Sequence, residues 1–148
     1  LAEDYYKARK NGKPYEFFHF TVDLDKGPCS YKRLKGCGVG SEYIAVTPSG
    51  DIYPCHQFVG EEKFKMGNVS DDNLILNTDV KEMFQNLLVP QKEECNNCWA
   101  KYFCSGGCPA NAYFDTGDVH GIYKTGCEMQ KKRLECALWI KAKEALDN

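Results

Sequence analysis

Four cysteines fall within fourteen residues in the stretch CNNCWAKYFCSGGC, Cys95 to Cys108, and five more lie outside it. At such density thiols pair as disulfides, close around a zinc ion, or hold an iron–sulfur cluster. Along the chain the spacing is Cys29-x7-Cys37-x12-Gly50-x4-Cys55, a long gap, Cys95-x2-Cys98-x5-Cys104-x3-Cys108, then x18 and Cys127. Cys136 follows near the end. A Cys-x2-Cys pair lets two thiolates converge on one centre, with the intervening amides turned towards the sulfurs. Gly106 and Gly107 are expected to let the backbone approach that centre without a Cβ clash. Gly50 makes the turn that delivers Cys55 to the end of a strand.

The choice among the three chemistries rests on count, compartment and spacing. Nine cysteines cannot all pair internally. The N-terminal LAEDYYKARKNGKP is charged and carries no apolar signal segment, so a cytoplasmic chain with reduced thiols is expected. Thiolate-only ligation suits zinc or iron–sulfur and excludes calcium, magnesium and manganese. Structural zinc usually takes two Cys-x2-Cys hooks, and here there is one, with no histidine at finger-like spacing. Uneven intervals suit a cluster, which is bulkier than an ion and draws ligands from distant segments. Zinc stays open as the alternative metal.

Composition removes other classes. The net charge is −2 with pI near 5.9, and Lys and Arg are scattered, so nothing resembles a nucleic-acid footprint. No apolar run approaches the ~20 residues of a membrane span. No Ser–His–Asp or paired-carboxylate constellation supports hydrolase chemistry. The chain opens on Leu1 and not Met, which suggests a piece of a longer protein.

The elements that must position the thiols read as α+β. Residues 1–11 are predicted helical, ending at Asn11-Gly12. Tyr15 to Leu24 (YEFFHFTVDL) is aromatic and β-branched and predicts a strand buried on both faces, as in a parallel sheet. Lys26-Gly27-Pro28 is a turn. Tyr43–Val46, a turn at Pro48-Ser49-Gly50-Asp51, and Ile52-Tyr53 form a hairpin, with Phe64 to Val69 as a short edge strand. Thr78 or Asp79 caps a helix through Leu88, stopped by Pro90. PANAYFDTGDVHG reads as a short helical turn and a loop. From Cys127 the chain is one helix, with Leu134, Ala137, Leu138, Lys141, Ala142 and Ala145 as its stripe.

The order Cys-x12-Gly-x4-Cys, gap, Cys-x2-Cys-x5-Cys-x3-Cys, gap, Cys, running from Cys37 to Cys127, resembles the SPASM domain. That domain is the C-terminal auxiliary-cluster module of many radical S-adenosylmethionine peptide-modifying enzymes. The flanking text (EYIAVTPSGDIYPCHQFVG, MGNV, CWAKYFCSGGCPANAY, CEMQKKRLECAL) is similar to the maturases of SCIFF peptides, which form Cys-to-Thr thioether cross-links in ribosomally made peptides. The resemblance implies a small cysteine-rich α+β domain built around two 4Fe–4S clusters. It spans residues 29–127, preceded over 1–28 by a helix and strand left from an α/β barrel and followed over 128–148 by a C-terminal helix. Cys37, Cys55 and Cys108 would hold the first cluster, and Cys95, Cys98, Cys104 and Cys127 the second. Cys29 is a candidate fourth ligand of the first cluster. The other readings are an iron open to a substrate thiolate and, separately, Cys29 as a small core residue.

A radical enzyme of this class needs a Cys-x3-Cys-x2-Cys loop. Cys104-x3-Cys108 begins that spacing, but Asn111 stands where the third cysteine would be. No catalytic residue is therefore expected in this chain, and S-adenosylmethionine would bind only in a barrel outside it. The implied partners are that barrel, in the same polypeptide, and a cysteine-containing precursor peptide, with neither nucleic acid nor membrane. The other classes of reading are a zinc-stabilised peptide-binding module and a stand-alone electron-transfer protein. Among remaining residues, His56 is a surface histidine or a donor to a cluster sulfur. Trp99, Tyr102 and Phe103 shield a cluster or dock a peptide. Cys136 is read as a buried free thiol, Lys131-Lys132-Arg133 as a solvated face, and Asp51, Asp115 and Asp118 as turn residues.

Overall fold

The computed structural model describes residues 1–24 and 29–147, apart from the side chain of Lys32. In chain order its elements are α1 (Ala2–Lys10), α2 (Ser30–Lys35), β1 (Ala45–Val46), β2 (Asp51–Tyr53), β3 (Gly67–Asn68), α3 (Thr78–Gln85), α4 (Glu93–Asn96), α5 (Lys101–Cys104), α6 (Pro109–Thr116) and α7 (Lys124–Leu146). The chain divides into two units, Leu1–Pro28 with Lys124–Asn148, and Cys29–Tyr123. The expected turn at Lys26-Gly27-Pro28 lies outside the described residues.

In the first unit α1 pairs with α7. Helix α1 carries Glu3 and Asp4 in its first turn and Lys7, Arg9 and Lys10 in its last, which suits the helix dipole. Its basic end meets the acidic end of α7 through Arg9–Glu144 at 2.5 Å and Lys10–Asp147 at 2.8 Å, while Tyr6 lies edge-on to Trp139. The strand expected over Tyr15–Leu24 does not form. Strand backbone must pair its amides, and here Phe20 N–H and Thr21 N–H bond locally to the carbonyls of Phe17 and Phe18. The apolar rings are used sideways instead: Tyr15 and Phe20 pack edge-on against buried Tyr5 of α1. The Arg133 guanidinium, read as part of a solvated face, donates to the His19 carbonyl at 2.8 Å. Helix α7 starts before Cys127, and its buried stripe is Leu134, Ala137 and Ile140. Leu138, Lys141, Ala142 and Ala145 are exposed, because burial follows every third residue here and not the wider set expected.

The second unit is a small mixed fold of helices and a three-stranded antiparallel sheet in the order β1-β2-β3. Ala45 faces Tyr53 and Val46 faces Ile52, and then Asp51 faces Asn68 and Ile52 faces Gly67. The strands are shorter than expected: Tyr43 makes only an isolated bridge with Val39, and Phe64 closes a 3-10 turn before β3. Asn77, not Thr78 or Asp79, caps α3, its side-chain oxygen accepting from Asp79 N–H and Val80 N–H. Helix α3 ends at Gln85 and not Leu88, because Val89–Gln91, with Pro90, forms its own 3-10 turn. The segment after Cys108 is a full helix, α6, opened by Pro109 and closed by Gly117 at φ 80°. Phe58, with none of its surface exposed, centres the core among Phe64, Phe84 and Tyr113, with Ile52, Met66, Val80 and Ala110 around them.

Candidate metal centre

None of the nine cysteines is in a disulfide. Cys55 follows β2 and is 7% exposed, set in place because Ile52, Tyr53 and Pro54 are all buried. A 3-10 turn, His56–Phe58, begins at once, and Phe58 N–H closes it onto the Cys55 carbonyl at 3.1 Å. Burial pushes the Cys55 thiol above the ordinary thiol range, and the backbone amides of Gln57 and Phe58 pull against it. The neighbouring Cys108 and Cys37 push it further up, so these three thiols, from segments far apart in sequence, share one electrostatic neighbourhood. A ligand must shed that proton, so metal uptake by Cys55 releases protons and is favoured as pH rises.

Cys108 stands at the N-cap of α6, and the Gln57 side-chain amide Nε2 donates to its sulfur at 3.4 Å. Cys37 is exposed, on a segment where Gly36, Gly38 and Gly40 all have positive φ. A Cβ at Gly36 would stand 3.3 Å from the Ser105 carbonyl, which measures how closely this segment lies on the Cys104–Cys108 loop. A narrow cleft there is lined by Cys37, Gly38, Ser105, Gly106 and Gly107. Lys92 also lines it; this buried lysine donates to the carbonyls of Val119 and Gly121, each at 3.3 Å.

The second group is local. Cys95 lies on α4 and Cys98 just past it, with Cys98 N–H bonded to the Cys95 carbonyl at 3.1 Å. Buried Ala100 accepts from Cys104 N–H at 2.9 Å, which fixes Cys104 as the last residue of α5. Ser105, Gly106 and Gly107 then take φ of 56°, 82° and 78° in succession and reverse the chain before Cys108. The two glycines supply the left-handed backbone that this reversal requires. A Cβ at Gly107 would meet nothing within 4 Å, and one at Gly106 only Val89 Cγ2 at 3.3 Å. Cys127 lies in the first turn of α7, in the other unit.

The remaining candidates fall as follows. Cys29 is exposed, one residue before α2. Cys136 is half-buried on α7 and so is not fully enclosed. His56 has its Nδ1 bonded to the Tyr43 hydroxyl at 3.0 Å. Gln57, unremarkable in sequence, takes the donor's place, and only a tertiary contact could have revealed it. Trp99, Tyr102 and Phe103 are exposed, and Phe103 carries the Arg33 guanidinium over its face at 5.0 Å. Asp51 is more than a turn residue: Lys65, Asn68 and Ser49 hold its carboxyl below the usual range. Asp118 accepts from His120 N–H within its turn.

The donor set is thiolate throughout, the chemistry of iron–sulfur and zinc. A lone tetrahedral zinc would need sulfurs about 3.8 Å apart on its ~2.3 Å bonds. Among the described residues no three His, Cys, Asp or Glu side chains form a group fit for a single ion. No described helix is long and apolar enough to cross a membrane.

Residues 37–99 match the SPASM family, an iron–sulfur cluster-binding domain. The match begins on Cys37, takes in Gly50 and Cys55, and ends just past Cys98. An uncharacterized protein of Archaeoglobus fulgidus is 35% identical over 102 residues. That alignment covers 67% of this chain and 24% of the relative, so the chain accounts for about a quarter of the longer protein it resembles.

Proposed function

We propose that this chain is the auxiliary part of a radical S-adenosylmethionine peptide maturase and holds two 4Fe–4S clusters. The observation that carries the reading is that Cys37, Cys55 and Cys108, from three separate segments, share one electrostatic neighbourhood in a unit that matches an iron–sulfur family. Those three thiols bind the first cluster and Cys95, Cys98 and Cys104 the second, with Cys127 its fourth ligand by sequence register alone. A bound 4Fe–4S cluster supplies a one-electron acceptor and, at an iron without a protein ligand, a Lewis-acid position.

The chain's own residues set where that chemistry occurs. The reversal at Ser105–Gly107 separates the end of α5, with Cys104, from the start of α6, with Cys108, and in this reading the two serve different centres. The amides of Gln57 and Phe58 stabilise the Cys55 thiolate, and the apolar core behind it excludes water from that side. Cys37 supplies the third thiolate from the exposed rim, where a fourth ligand arrives from solvent or from Cys29. In the maturase reading the fourth ligand is the donor cysteine of a precursor peptide. The acceptor residue, a threonine in the SCIFF-type case, is activated by a barrel outside this chain.

The test is anaerobic reconstitution with iron and sulfide. Broad absorption near ~400 nm and about eight irons per chain are expected, and Cys55→Ala should remove about half of that iron. A colourless protein that keeps stoichiometric zinc after reconstitution would overturn the reading. For the peptide, Mössbauer spectra with and without a cysteine-containing peptide should differ at one iron site. A site changed by Cys29→Ala instead would make Cys29 the fourth ligand.

A further inference from the structure

We infer that Gln57 sets the reduction potential of the centre held by Cys37, Cys55 and Cys108, as a positioning residue whose side chain donates to one of its sulfurs. The inference rests on the cluster reading above. The side-chain Nε2 of Gln57 donates to the Cys108 sulfur at 3.4 Å, and Gln57 itself lies in the turn that begins directly after Cys55. One residue thus ties the turn at Cys55 to a thiol 53 positions further along the chain, Cys108. The turn carrying it is rigidly anchored, because the next residue, Phe58, is fully buried and packs against Phe64, Phe84, Tyr113 and Phe114. His56, on the other side, is occupied by Tyr43 and offers no competing donor through Nδ1.

The physical effect follows from charge. Reduction adds an electron to a centre ligated by thiolates, and part of that charge resides on the sulfurs. A hydrogen bond to a sulfur is stronger in the more negative state, so each donor raises the potential. A primary amide supplies that donor at every pH, where a histidine would do so in a titrating way. Because Gln57 is exposed, water partly replaces it when it is removed, which bounds the effect.

The experiment is an EPR-monitored redox titration of the anaerobically reconstituted chain, in wild type, Gln57→Leu and isosteric Gln57→Glu. For Gln57→Leu the oxidised-to-reduced ratio at fixed applied potential should rise about tenfold, a fall of about 59 mV for one electron. Gln57→Glu, which replaces donor by anion, should fall further at pH 8. The signal that moves should be the one missing from Cys55→Ala, while the other centre keeps its potential. Full iron content with potentials shifted less than twofold in that ratio would overturn the inference. So would variants that keep the fold by circular dichroism but lose iron, since Gln57 would then hold ligands and not tune them. A wild-type chain that takes up no cluster would instead overturn the functional reading beneath it.

Discussion

Gly50 closes the hairpin that leads into Cys55, and Gly50→Ala puts its role to a quantitative test. At φ +87° an alanine pays about 1–2 kcal/mol for a backbone that L-residues avoid. The new Cβ would also stand 2.7 Å from Asn68 Oδ1 and 3.0 Å from Val69 Cγ2, so Asn68 must move. Moving it disturbs three hydrogen bonds: Nδ2 to the Ser49 carbonyl, Nδ2 to Asp51 Oδ1, and Ser70 N–H to Oδ1. Each is worth about 0.5–1.5 kcal/mol net, and water recovers part of that. Against these stands a gain of about 0.4–1 kcal/mol from stiffening the unfolded chain. The balance is a loss of about 2–3 kcal/mol. Native-state hydrogen exchange at the amides of Ile52 and Tyr53 reads this directly, as exchange about 30- to 150-fold faster. Asn68→Ala alone should cost about 1–2 kcal/mol. The double variant should cost about 1 kcal/mol less than the sum, because the clash has no partner left. A single-variant loss under about 1 kcal/mol, or strict additivity in the cycle, would refute the reasoning.

Phe58→Ala should cost about 3–5 kcal/mol in urea denaturation, because the ring is wholly buried and touches four other rings; a loss below about 2 kcal/mol would mean that the core centres elsewhere. Asp51 is held below the ordinary carboxylate range chiefly by Lys65, so its contribution is present above the unfolded pKa of about 3.9 and is lost as pH falls through the folded value. Acid titration of the sheet, followed by circular dichroism, should therefore show a loss setting in below about pH 4 that Asp51→Asn abolishes; an unchanged acid limb in the variant would remove Asp51 as its source. Lys92→Met leaves the Val119 and Gly121 carbonyls without the ammonium that both accept from, and should cost about 1–3 kcal/mol. At about 2–4 °C per kcal/mol the melting midpoint should fall measurably, and an unchanged midpoint would show that the two carbonyls find other donors.

The hairpin was legible because its turn residues and alternating apolar strands are local signals, and Gly50 sits where the expected turn requires it. The helices α1 and α7 were legible for the same reason, since periodicity and end signals lie within a few residues. Tyr15–Leu24 was not. Its composition states that the segment must bury apolar surface, but whether it does so as a strand depends on partners, and here α1 supplies the surface without a ladder. The Asn77 cap was displaced by one residue, because Asn77, Thr78 and Asp79 are all competent caps and only the helix entry chooses among them. At the site, spacing could nominate thiols but not neighbours. That Cys55 feels Cys37 and Cys108, and that Gln57 reaches Cys108, are facts of tertiary folding with no local trace.

Those neighbours are also unequal in how the fold holds them. Cys55 belongs to the hydrophobic core and Cys108 packs against it, whereas Cys37 is exposed on a segment turned by glycines. A buried cysteine behaves as a small apolar side chain, so Cys55 can be packed without any metal present. The loop that carries Cys37 is tied by the Lys35–Glu42 ion pair at 2.7 Å, by Gly40 N–H donating to the Pro54 carbonyl at 3.0 Å, and by Val39, which is buried in the core. The backbone at all three thiols is therefore positioned by folding, and only the Cys37 residue itself is exposed. In the cluster reading, free energy gained on binding feeds back onto the core through Cys55, Cys108 and the Val39 segment. Substitutions deep in the core, such as Phe58→Ala, should consequently weaken metal retention without touching a ligand, and substitutions around Gly38 should weaken it without unfolding the core.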